Sequence, residues 1–186
     1  MKIFIKNMVC NRCIAAVETI FRNAEVKTAN VLLGEVETES DVSAQTMHII
    51  EKELLDTGFE RIMDSAHQTV EKIKNLIIVK ISDLDIPEDF LLSEFLSSKL
   101  HKDYSALSKT FSQNENITLE QFFILQKIEK VKELLLYNEF NLTEIAGKLG
   151  YKSVQHLSSQ FRNVTGFTPT EFKKLKEHHR KPLDNL

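Results

Sequence analysis

Residues 141–169 read NLTEIAGKLGYKSVQHLSSQFRNVTGFTP, and this stretch decides the fold of the C-terminal half of the chain. Apolar residues at helical spacing predict a short helix over residues 142–149 and a second helix over residues 154–164. Gly150 lies between them and can turn the chain, because glycine adopts backbone angles that other residues avoid. Ala146 supplies a small side chain where the two helices would cross closely. The stretch therefore predicts two short helices that pack across a tight turn.

The second of these helices has an apolar face and a polar face. Its inward-facing positions are Leu157, Phe161 and Val164. Its outward-facing positions, which follow one another by four and then three residues, are Gln155, Ser159 and Arg162. Asn141 or Thr143 can cap the first helix, and Ser153 can cap the second. A polar stripe at this place is what reading base edges in the major groove requires, although an isolated stripe is more often ordinary solvent-exposed surface.

The same pattern occurs twice in the chain, at a separation of 50 residues. Residues 107–111 (LSKTF) correspond to residues 157–161 (LSSQF), and residues 116–122 (NITLEQF) correspond to residues 166–172 (GFTPTEF). A short predicted helix precedes each copy. The repetition favours a functional role for the polar stripe, since an ordinary surface has no reason to recur at a fixed period.

The first copy begins with a predicted helix over residues 93–100 and a turn at residues 101–103 that lacks glycine. Ser97 takes the place that Ala146 holds in the second copy, and Asp103 can cap the following helix. The inward-facing positions of that helix are Leu107 and Phe111, and the outward-facing positions are Ser105, Lys109 and Ser112.

A long helix is predicted between the two copies, over residues 118–137. Twenty residues at ~1.5 Å rise per residue make a rod of about 30 Å. Successive major-groove faces of B-DNA are separated by roughly 34 Å. Such a rod would hold two recognition helices about one DNA turn apart on the same side of the duplex.

The run from Asn141 to Pro169 resembles the signature of the AraC/XylS family of bacterial transcription regulators, and the resemblance extends over about residues 68–176. It implies an all-α, seven-helix domain in which a long helix joins two helix-turn-helix units, with double-stranded DNA and RNA polymerase as partners. By the same resemblance, the base-reading positions are Ser105, Ser108 and Lys109 in the first unit. In the second unit they are Val154, Gln155, Ser158 and Ser159, with Arg162 on a DNA phosphate. Many family members carry arginine in place of Ser159, and some carry a large aromatic residue in place of Ser105.

Residues 1–65 alternate between strand-like and helical patterns. Strands are predicted around residues 3–8, 26–33, 35–39 and 59–63, and helices over residues 13–21 and 43–57. Residues 35–39 alternate in polarity as an exposed edge strand does. The order βαββαβ predicts a small ferredoxin-like α+β domain. An amphipathic helix over residues 67–83 follows it.

Two cysteines lie where the first strand should lead into the first helix, in residues 8–13 (MVCNRC). Two thiolates at a helix N-terminus can bind one soft cation. Two sulfurs suit Cu(I), whereas Zn(II) would need two further ligands, as from a partner chain. The segment resembles the M-x-C-x-x-C loop of heavy-metal-associated domains, with Asn7 in place of the usual glycine. A redox centre and a pair of inert thiols are the alternatives for Cys10 and Cys13.

The composition favours helices and excludes several classes of protein. The chain of 186 residues contains five glycines, three prolines and no tryptophan. No apolar run approaches the roughly 18 residues that span a bilayer. Lys2 and Lys6 interrupt the N-terminal pattern, so no signal peptide is expected. Two cysteines are too few for a disulfide framework, so the cytoplasm is the expected location. Because the sequence contains no recognisable catalytic set, we expect no enzyme.

The charge is unevenly distributed along the chain. The net charge is −3, yet residues 148–181 carry eight basic residues against two acidic ones. The basic residues are Lys148, Lys152, Arg162, Lys173, Lys174, Lys176, Arg180 and Lys181, and the acidic ones are Glu171 and Glu177. This excess suits a surface that faces DNA phosphates, and a solvated charged tail is the alternative.

We therefore expect a two-domain DNA-binding transcription regulator. Residues 1–65 are predicted to form a heavy-metal-associated-like sensor or dimerisation domain, and residues 66–186 the DNA-binding domain. Metal binding or oxidation at Cys10 and Cys13 would change how the N-terminal domain packs or pairs as a homodimer, and so alter DNA binding. The alternative is a metal or thiol carrier whose helical half is a protein-interaction scaffold without DNA affinity.

Overall fold

The computed structural model describes residues 1–174 and divides the chain into two compact units, Met1–Asn75 and Leu76–Leu186. The elements of the first unit are β1 (Lys2–Lys6), α1 (Asn11–Asn23), β2 (Thr28–Leu32), β3 (Glu35–Thr38), α2 (Ala44–Asp56) and β4 (Glu60–Ile62), after which α3 (Ser65–Ser82) begins. The boundary expected from the sequence, between residues 65 and 66, lies at the start of α3. The division between the two units falls within that helix.

The four strands form one antiparallel sheet in the order β2-β3-β1-β4. The expectation that residues 35–39 form an exposed edge strand is wrong, because β3 lies between β2 and β1 and pairs Val36 with Ile3. The edges are β2 and β4. The polarity of β3 alternates because Val36 and Thr38 are both buried on one face. Alternation shows that one face of a strand is buried, and does not show whether the strand has one neighbour or two.

The core of the first unit is built from the sheet together with α1 and α2. In α1 the buried side chains are Val17, Ile20 and Phe21, spaced as one face of a helix requires. The buried apolar cluster consists of Ile3, Ile5, Met8, Val17, Ile20, Phe21, Val31, Val36, Met47, Ile50, Leu54 and Phe59. The polar ends of α1 and α2 are therefore left at the surface, with the cysteine loop at the start of α1.

The second unit is helical and contains both copies of the repeat. Its helices after α3 are α4 (Leu92–Leu100), α5 (Tyr104–Glu115), α6 (Leu119–Tyr137), α7 (Leu142–Lys148), α8 (Val154–Thr165) and α9 (Pro169–Lys174). The four helices whose ends were predicted for this part of the chain, which are α4, α6, α7 and α8, each begin and end within one residue of the prediction. The chain is thus a small mixed sheet-and-helix unit followed by a helical one.

The repeat is also visible in the turns and caps of the second unit. Asn116 after α5 and Gly166 after α8 both adopt the left-handed backbone conformation, with φ of 58° and 82°. Reciprocal capping hydrogen bonds then start the next helix, between Thr118 and Gln121 in the first copy and between Thr168 and Glu171 in the second. Equivalent residues in the two copies therefore cap equivalent helices in the same way.

Each copy also packs a pair of buried phenylalanine rings. The ring centroids of Phe111 and Phe122 are 5.3 Å apart, and those of Phe161 and Phe172 are 5.5 Å apart. All four rings are at most 2% exposed. Tilted pairs at this distance add to the free energy of burying the rings. The repeated residues thus hold α5 against α6 and α8 against α9.

A segment that precedes α4 covers the turn between α7 and α8. Ile86 is 3% exposed, its N–H donates to the carbonyl of Lys148 at 3.0 Å, and it bridges Leu149 in the parallel sense. Gly150 has a φ of 66°. A methyl group on Gly150 would lie 2.7 Å from Cγ2 of Ile86 and 2.8 Å from the carbonyl oxygen of Pro87. Glycine is therefore required here by the left-handed turn and by the close approach of this segment.

Two local expectations are wrong. Val164, expected to face inward, is 37% exposed, because it lies in the last turn of α8 beyond the last core residue, Phe161. Asp103 precedes α5 and is exposed, but its side chain makes no capping hydrogen bond. Ser112, expected to face outward, is half-buried, and its hydroxyl donates to the carbonyl of Ser108 at 2.9 Å.

The glycine-free turn of the first copy is formed by His101, which adopts a left-handed φ of 51°.

The structure describes only part of the basic segment, residues 148–181, that was predicted to face DNA phosphates. Lys176, Glu177, Arg180 and Lys181 lie outside the described residues.

Candidate nucleic-acid interface

The two predicted recognition helices, α5 and α8, show the same burial pattern. Over their first eight residues, 104–111 and 154–161, the order of buried, half-buried and exposed side chains is identical. The fourth and eighth positions are buried in both helices, and the second, third and sixth positions are exposed in both. A residue of α5 and its counterpart in α8 therefore hold the same orientation relative to their own helix pair.

The exposed face of α8 contains the polar residues predicted from the sequence. Gln155, Ser159 and Arg162 are exposed, whereas Val154 and Ser158 are half-buried beside them. On α5, Ser105 and Lys109 are exposed and Ser108 is half-buried. The predicted positions of each helix thus lie together on a single outward face.

The start of α8 is held by a cap and by a buried tyrosine. The hydroxyl of Ser153 accepts a hydrogen bond from the backbone N–H of His156 at 3.1 Å, as the sequence predicted. Tyr151 is 4% exposed, and its hydroxyl donates to Oε1 of Gln160 at 2.8 Å. The ammonium of Lys127 in α6 lies 3.8 Å from the centroid of the Tyr151 ring. The turn before α8 is therefore fixed both to its own helix and to the central helix.

Burial changes the acidity of this pair. Burial lowers the pKa of Lys127 to about 8, and burial raises the pKa of Tyr151. Lys127 is 7% exposed. Desolvation disfavours the charged form of each group, and the Tyr151 ring offers the ammonium only a cation–π contact in return. Because Lys127 is buried among aromatic rings, we assign it a structural role rather than contact with DNA.

The start of α5 is held differently, by a hydrogen bond from Tyr104 to the carboxylate of Glu120 in α6. Burial, together with this hydrogen bond, raises the pKa of Tyr104. The same bond from Tyr104 holds the pKa of Glu120 below its usual value. In the second copy these two places are taken by Val154 and Thr170. The Tyr104 hydroxyl is thus hydrogen-bonded within the unit. We therefore do not assign Tyr104 the base-reading role predicted for Val154 at the equivalent position.

The central helix α6 separates the two recognition helices. Its 19 residues span about 28 Å at ~1.5 Å per residue. The capping box at Thr118 and Gln121 fixes its start, and the left-handed Asn138, with φ of 55°, ends it. A helix with both ends defined in this way is a suitable spacer between two DNA-contacting helices.

Arg162 lies near the start of α9. Hydrogen bonds from Thr168 hold the pKa of Glu171 below its usual value, and the charges of Arg162 and Lys174 lower it further. Arg162 thus lies on the side of α8 that is nearest to the start of α9, seven residues beyond Gln155. This position, away from the N-terminal turn of α8, suits contact with a phosphate better than contact with a base.

The cysteines of the first unit form a separate candidate site. The Sγ atoms of Cys10 and Cys13 are 3.5 Å apart, and both thiols are free. Cys10 is the exposed residue that precedes α1. Burial acts to raise the pKa of Cys10, but hydrogen bonds from the backbone and thiol of Cys13, and the backbone and charge of Arg12, outweigh it and lower the pKa. Two sulfurs this close can both contact one metal ion.

The number of ligands distinguishes the candidate metals. Among residues 1–174, no group of three or more histidine, cysteine, aspartate or glutamate side chains is placed to hold a metal ion. The described part of one chain therefore suits two-coordinate Cu(I), and does not complete the four ligands that Zn(II) takes in structural sites.

Sequence reasoning missed the residues that position the recognition helices. Tyr104 at the start of α5 contacts Glu120 in α6, and Tyr151 in the turn before α8 contacts Lys127 in α6. No spacing rule along the chain predicts such contacts, because they depend on how the helices pack. The sequence offered no signal that singles out Lys127, because α6 also buries Gln126, Glu129 and Lys132.

None of the helices in residues 1–174 combines the length and the apolar character needed to cross a bilayer.

Comparisons with known proteins match the helical unit. Residues 96–175 match the family model described as "Helix-turn-helix domain". An HTH-type transcriptional regulator of Staphylococcus aureus is 31% identical over 91 residues, which are 49% of this chain and 12% of that protein. The xylose operon regulatory protein of Escherichia coli K12 is 30% identical over 69 residues, which are 37% of this chain and 18% of that protein.

A solved structure, the C-terminal domain of the two-component response regulator yesN from Fusobacterium nucleatum, has 30% sequence identity and a TM-score of 0.48. The similarity covers 55% of this chain and 99% of that one.

The two regulators that match in sequence are much longer than the matched region, and the chain spans less than a fifth of the length of each. With the two helix pairs and the joining helix described above, the family match shows that residues 96–175 are a helix-turn-helix domain.

Proposed function

We propose that this chain is a bacterial, cytoplasmic transcription regulator that binds double-stranded DNA in a sequence-specific manner and acts on RNA polymerase. The observation that carries the proposal is the pair of helices α5 and α8, whose burial is identical over their first eight residues, at either end of a 19-residue helix. The length of α6, about 28 Å, is close to the roughly 34 Å between successive major-groove faces. Both helices can therefore enter the groove on one side of the duplex.

The proposed contacts divide into base contacts and a phosphate contact. In the first unit the base-reading residues are Ser105, Ser108 and Lys109, and in the second they are Val154, Gln155, Ser158 and Ser159. Arg162 is proposed to bind a phosphate. Support comes from the exposure of the polar members of both sets on one face of each helix, and from the position of Arg162 near the start of α9.

Salt-dependent DNA binding tests the proposal. Phosphate contacts release counterions, so the logarithm of the affinity should fall linearly with the logarithm of the salt concentration, and each lost phosphate contact reduces that slope by about one. Arg162→Ala is expected to weaken binding to every sequence and to reduce the slope. Gln155→Ala, an exposed change on the same helix, is the matched control, which should keep the slope and relax sequence preference. A protein without salt-dependent DNA affinity would instead favour the carrier-and-scaffold alternative.

For the N-terminal unit we propose a ferredoxin-like, heavy-metal-associated-like domain, over about residues 1–65, that senses a soft metal. The strand order β2-β3-β1-β4 and the thiols of Cys10 and Cys13 at 3.5 Å support this proposal. Cu(I) would be held by both sulfurs, and would supply a cross-link between the loop and the start of α1. Zn(II) would require two more ligands from a second chain, which would make the metal site part of a homodimer.

The proposed consequence is a change in how the N-terminal unit packs or pairs when Cys10 and Cys13 bind metal or are oxidised, and hence a change in DNA affinity. An anaerobic titration of the reduced full chain with Cu(I) and Zn(II), with DNA binding followed in the same sample, tests it. The expected result is tight uptake of one metal per chain or per dimer together with a changed DNA affinity. The variant Cys10→Ser/Cys13→Ser is the control, and it should bind DNA with no response to metal. Equal metal responses of variant and natural chain would contradict the sensing role.

A further inference from the structure

We infer that the two recognition helices select different bases, with Gln155 of α8 selecting adenine in one half of the DNA site and Lys109 of α5 selecting guanine in the other half, about ten base pairs away. The inference rests on the proposed DNA binding and names the class of sequence that the interface prefers.

The first step is the equivalence of positions in the two helices. Ser105 and Gln155 are the second residues of α5 and α8, and Lys109 and Ser159 are the sixth residues. All four are exposed, and the burial pattern around them is the same in both helices. Each helix therefore presents two outward positions with the same geometry, and the two helices carry different residue types there.

The second step concerns which polar groups near these positions are already engaged. The Tyr104 hydroxyl donates to Glu120, and the Ser112 hydroxyl donates to the Ser108 carbonyl. In the second helix pair, Gln160 accepts the hydrogen bond from Tyr151. These groups would have to break an existing bond before they could contact a base. They are therefore poor candidates for base recognition.

Gln155 and Lys109, by contrast, have free polar ends. Neither makes a hydrogen bond or an ion pair with the residues that the structure describes. A glutamine amide donates and accepts at once, which matches N7 and N6 of adenine, and a lysine ammonium donates to O6 and N7 of guanine. Serine, at positions 105 and 159, pairs with either kind of base and is too short to discriminate strongly.

The third step is the spacing between the two bases. Both residues lie in the first half of their recognition helix, which is the part that contacts base edges in helix-turn-helix proteins. The joining helix α6 spans about 28 Å, so the two helices reach major-groove faces roughly one helical turn apart. The preferred site is therefore bipartite, with one adenine and one guanine as its most selective positions.

Selection from a random DNA library with the full chain tests this inference. The enriched sites should contain an adenine and a guanine about ten base pairs apart. Gln155→Ala should reduce the preference for adenine at least about five-fold, and Lys109→Ala should do the same for guanine, since a good base contact contributes discrimination of that size or more.

Two transfer variants separate recognition from a general loss of binding. Gln155→Ala/Ser105→Gln should move the adenine preference to the half-site under α5. Lys109→Ala/Ser159→Lys should move the guanine preference to the half-site under α8. A full chain that binds DNA well but selects other bases, or variants that weaken all sequences equally, would overturn the inference alone. A chain that enriches no sequence and has no salt-dependent affinity would overturn the proposed function as well.

Discussion

Replacing Gly150 by alanine tests whether the turn before α8 is as constrained as the structure shows. Alanine at a φ of 66° costs about 1–2 kcal/mol, because its Cβ crowds the neighbouring carbonyl in the left-handed region. The new methyl group would also lie 2.7 Å from Ile86 Cγ2 and 2.8 Å from the Pro87 carbonyl oxygen. Overpacking of this kind typically adds about 1–3 kcal/mol. We expect Gly150→Ala to lower the free energy of unfolding by roughly 2–5 kcal/mol.

Two other glycines in the same domain provide matched controls. Gly166 has a similar left-handed φ of 82°, but an added Cβ meets nothing within 4 Å, so Gly166→Ala should cost only the backbone strain of about 1–2 kcal/mol. Gly147 lies inside α7 with nothing within 4 Å of an added Cβ. Gly147→Ala should therefore stabilise the domain by about 0.5–1 kcal/mol, because alanine is the better helix former.

Urea denaturation of the full chain, followed by tyrosine fluorescence, measures these differences. The chain has three tyrosines and no tryptophan, and Tyr104, Tyr137 and Tyr151 all lie in the Leu76–Leu186 unit. The signal therefore reports on that unit alone. With a slope of about 2 kcal/mol per molar urea, in the middle of the usual range, Gly150→Ala should lower the midpoint by roughly 1–2.5 M. If Gly150→Ala and Gly166→Ala proved equally destabilising, the close approach of residues 86–87 would be refuted.

Further predictions concern the caps, the buried lysine and the tyrosine bond, all measured as changes in unfolding free energy. Asn141→Ala removes a reciprocal capping box and should cost about 1 kcal/mol, whereas Asp103→Ala, at a helix start without a cap bond, should cost clearly less; equal losses would contradict the capping geometry. Lys127 has a folded pKa of about 8 against 10.5 when exposed, so the unfolded chain binds more protons between these values, and this residue's contribution to stability rises with pH across that window. Lys127→Met should therefore stabilise the protein by roughly 2 kcal/mol at pH 7, with a smaller gain at pH 9.5, and a gain that is independent of pH would show that the ammonium is not desolvated. Tyr104→Phe should cost about 1 kcal/mol near neutral pH. Because the folded pKa of Glu120 is lowered, its stabilisation is present above the ordinary value of 4.5 and is lost as the pH falls below it, so an unchanged acid profile in this variant would argue against the bond.

The helical half of the fold was predictable because its signals are local. Asn141 and Ser153 cap their helices as their residue types suggest, and Gly150 and Gly166 turn the chain where the periodicity stops. The 50-residue repeat added a second, independent copy of the same signals. The capping residues, the helical period and the turn residues all indicate the same helix ends at these places. The ends of the helices were therefore predicted closely.

Apart from the local errors at Asp103 and Val164, the errors occurred where the answer depends on partners that are distant in sequence. The alternation in residues 35–39 predicted an exposed edge strand, but strand order follows from how the strands pair, and β3 proved to be an inner strand with Val36 buried. The sequence likewise predicted a turn at Gly150 without predicting that Ile86 packs against it. The bond between Tyr104 and Glu120 is another contact between helices, and it explains why the two recognition helices differ at their first position.

The exposure of the candidate residues was predictable from the sequence, whereas their hydrogen bonding was not. The exposure of Gln155 and Ser159 follows from the helical period once Leu157 and Phe161 are placed inside α8. The exposure of Lys109 follows in the same way once Leu107 and Phe111 are placed inside α5. Which of these side chains have free polar ends depends on hydrogen bonds between elements, and therefore required the structure. The proposed metal site at Cys10 and Cys13 depends on a complete ligand set, and the described part of the chain provides two sulfurs.

Hydroxyl-radical footprinting of the full chain on a DNA site that it selects is the most direct test of the central claim, which is that α5 and α8 together occupy two successive faces of one major groove. The account predicts two protected patches about ten base pairs apart on the same side of the duplex, with the patch under α8 weakened by Arg162→Ala. A single protected patch, or two patches on opposite sides of the duplex, would contradict it.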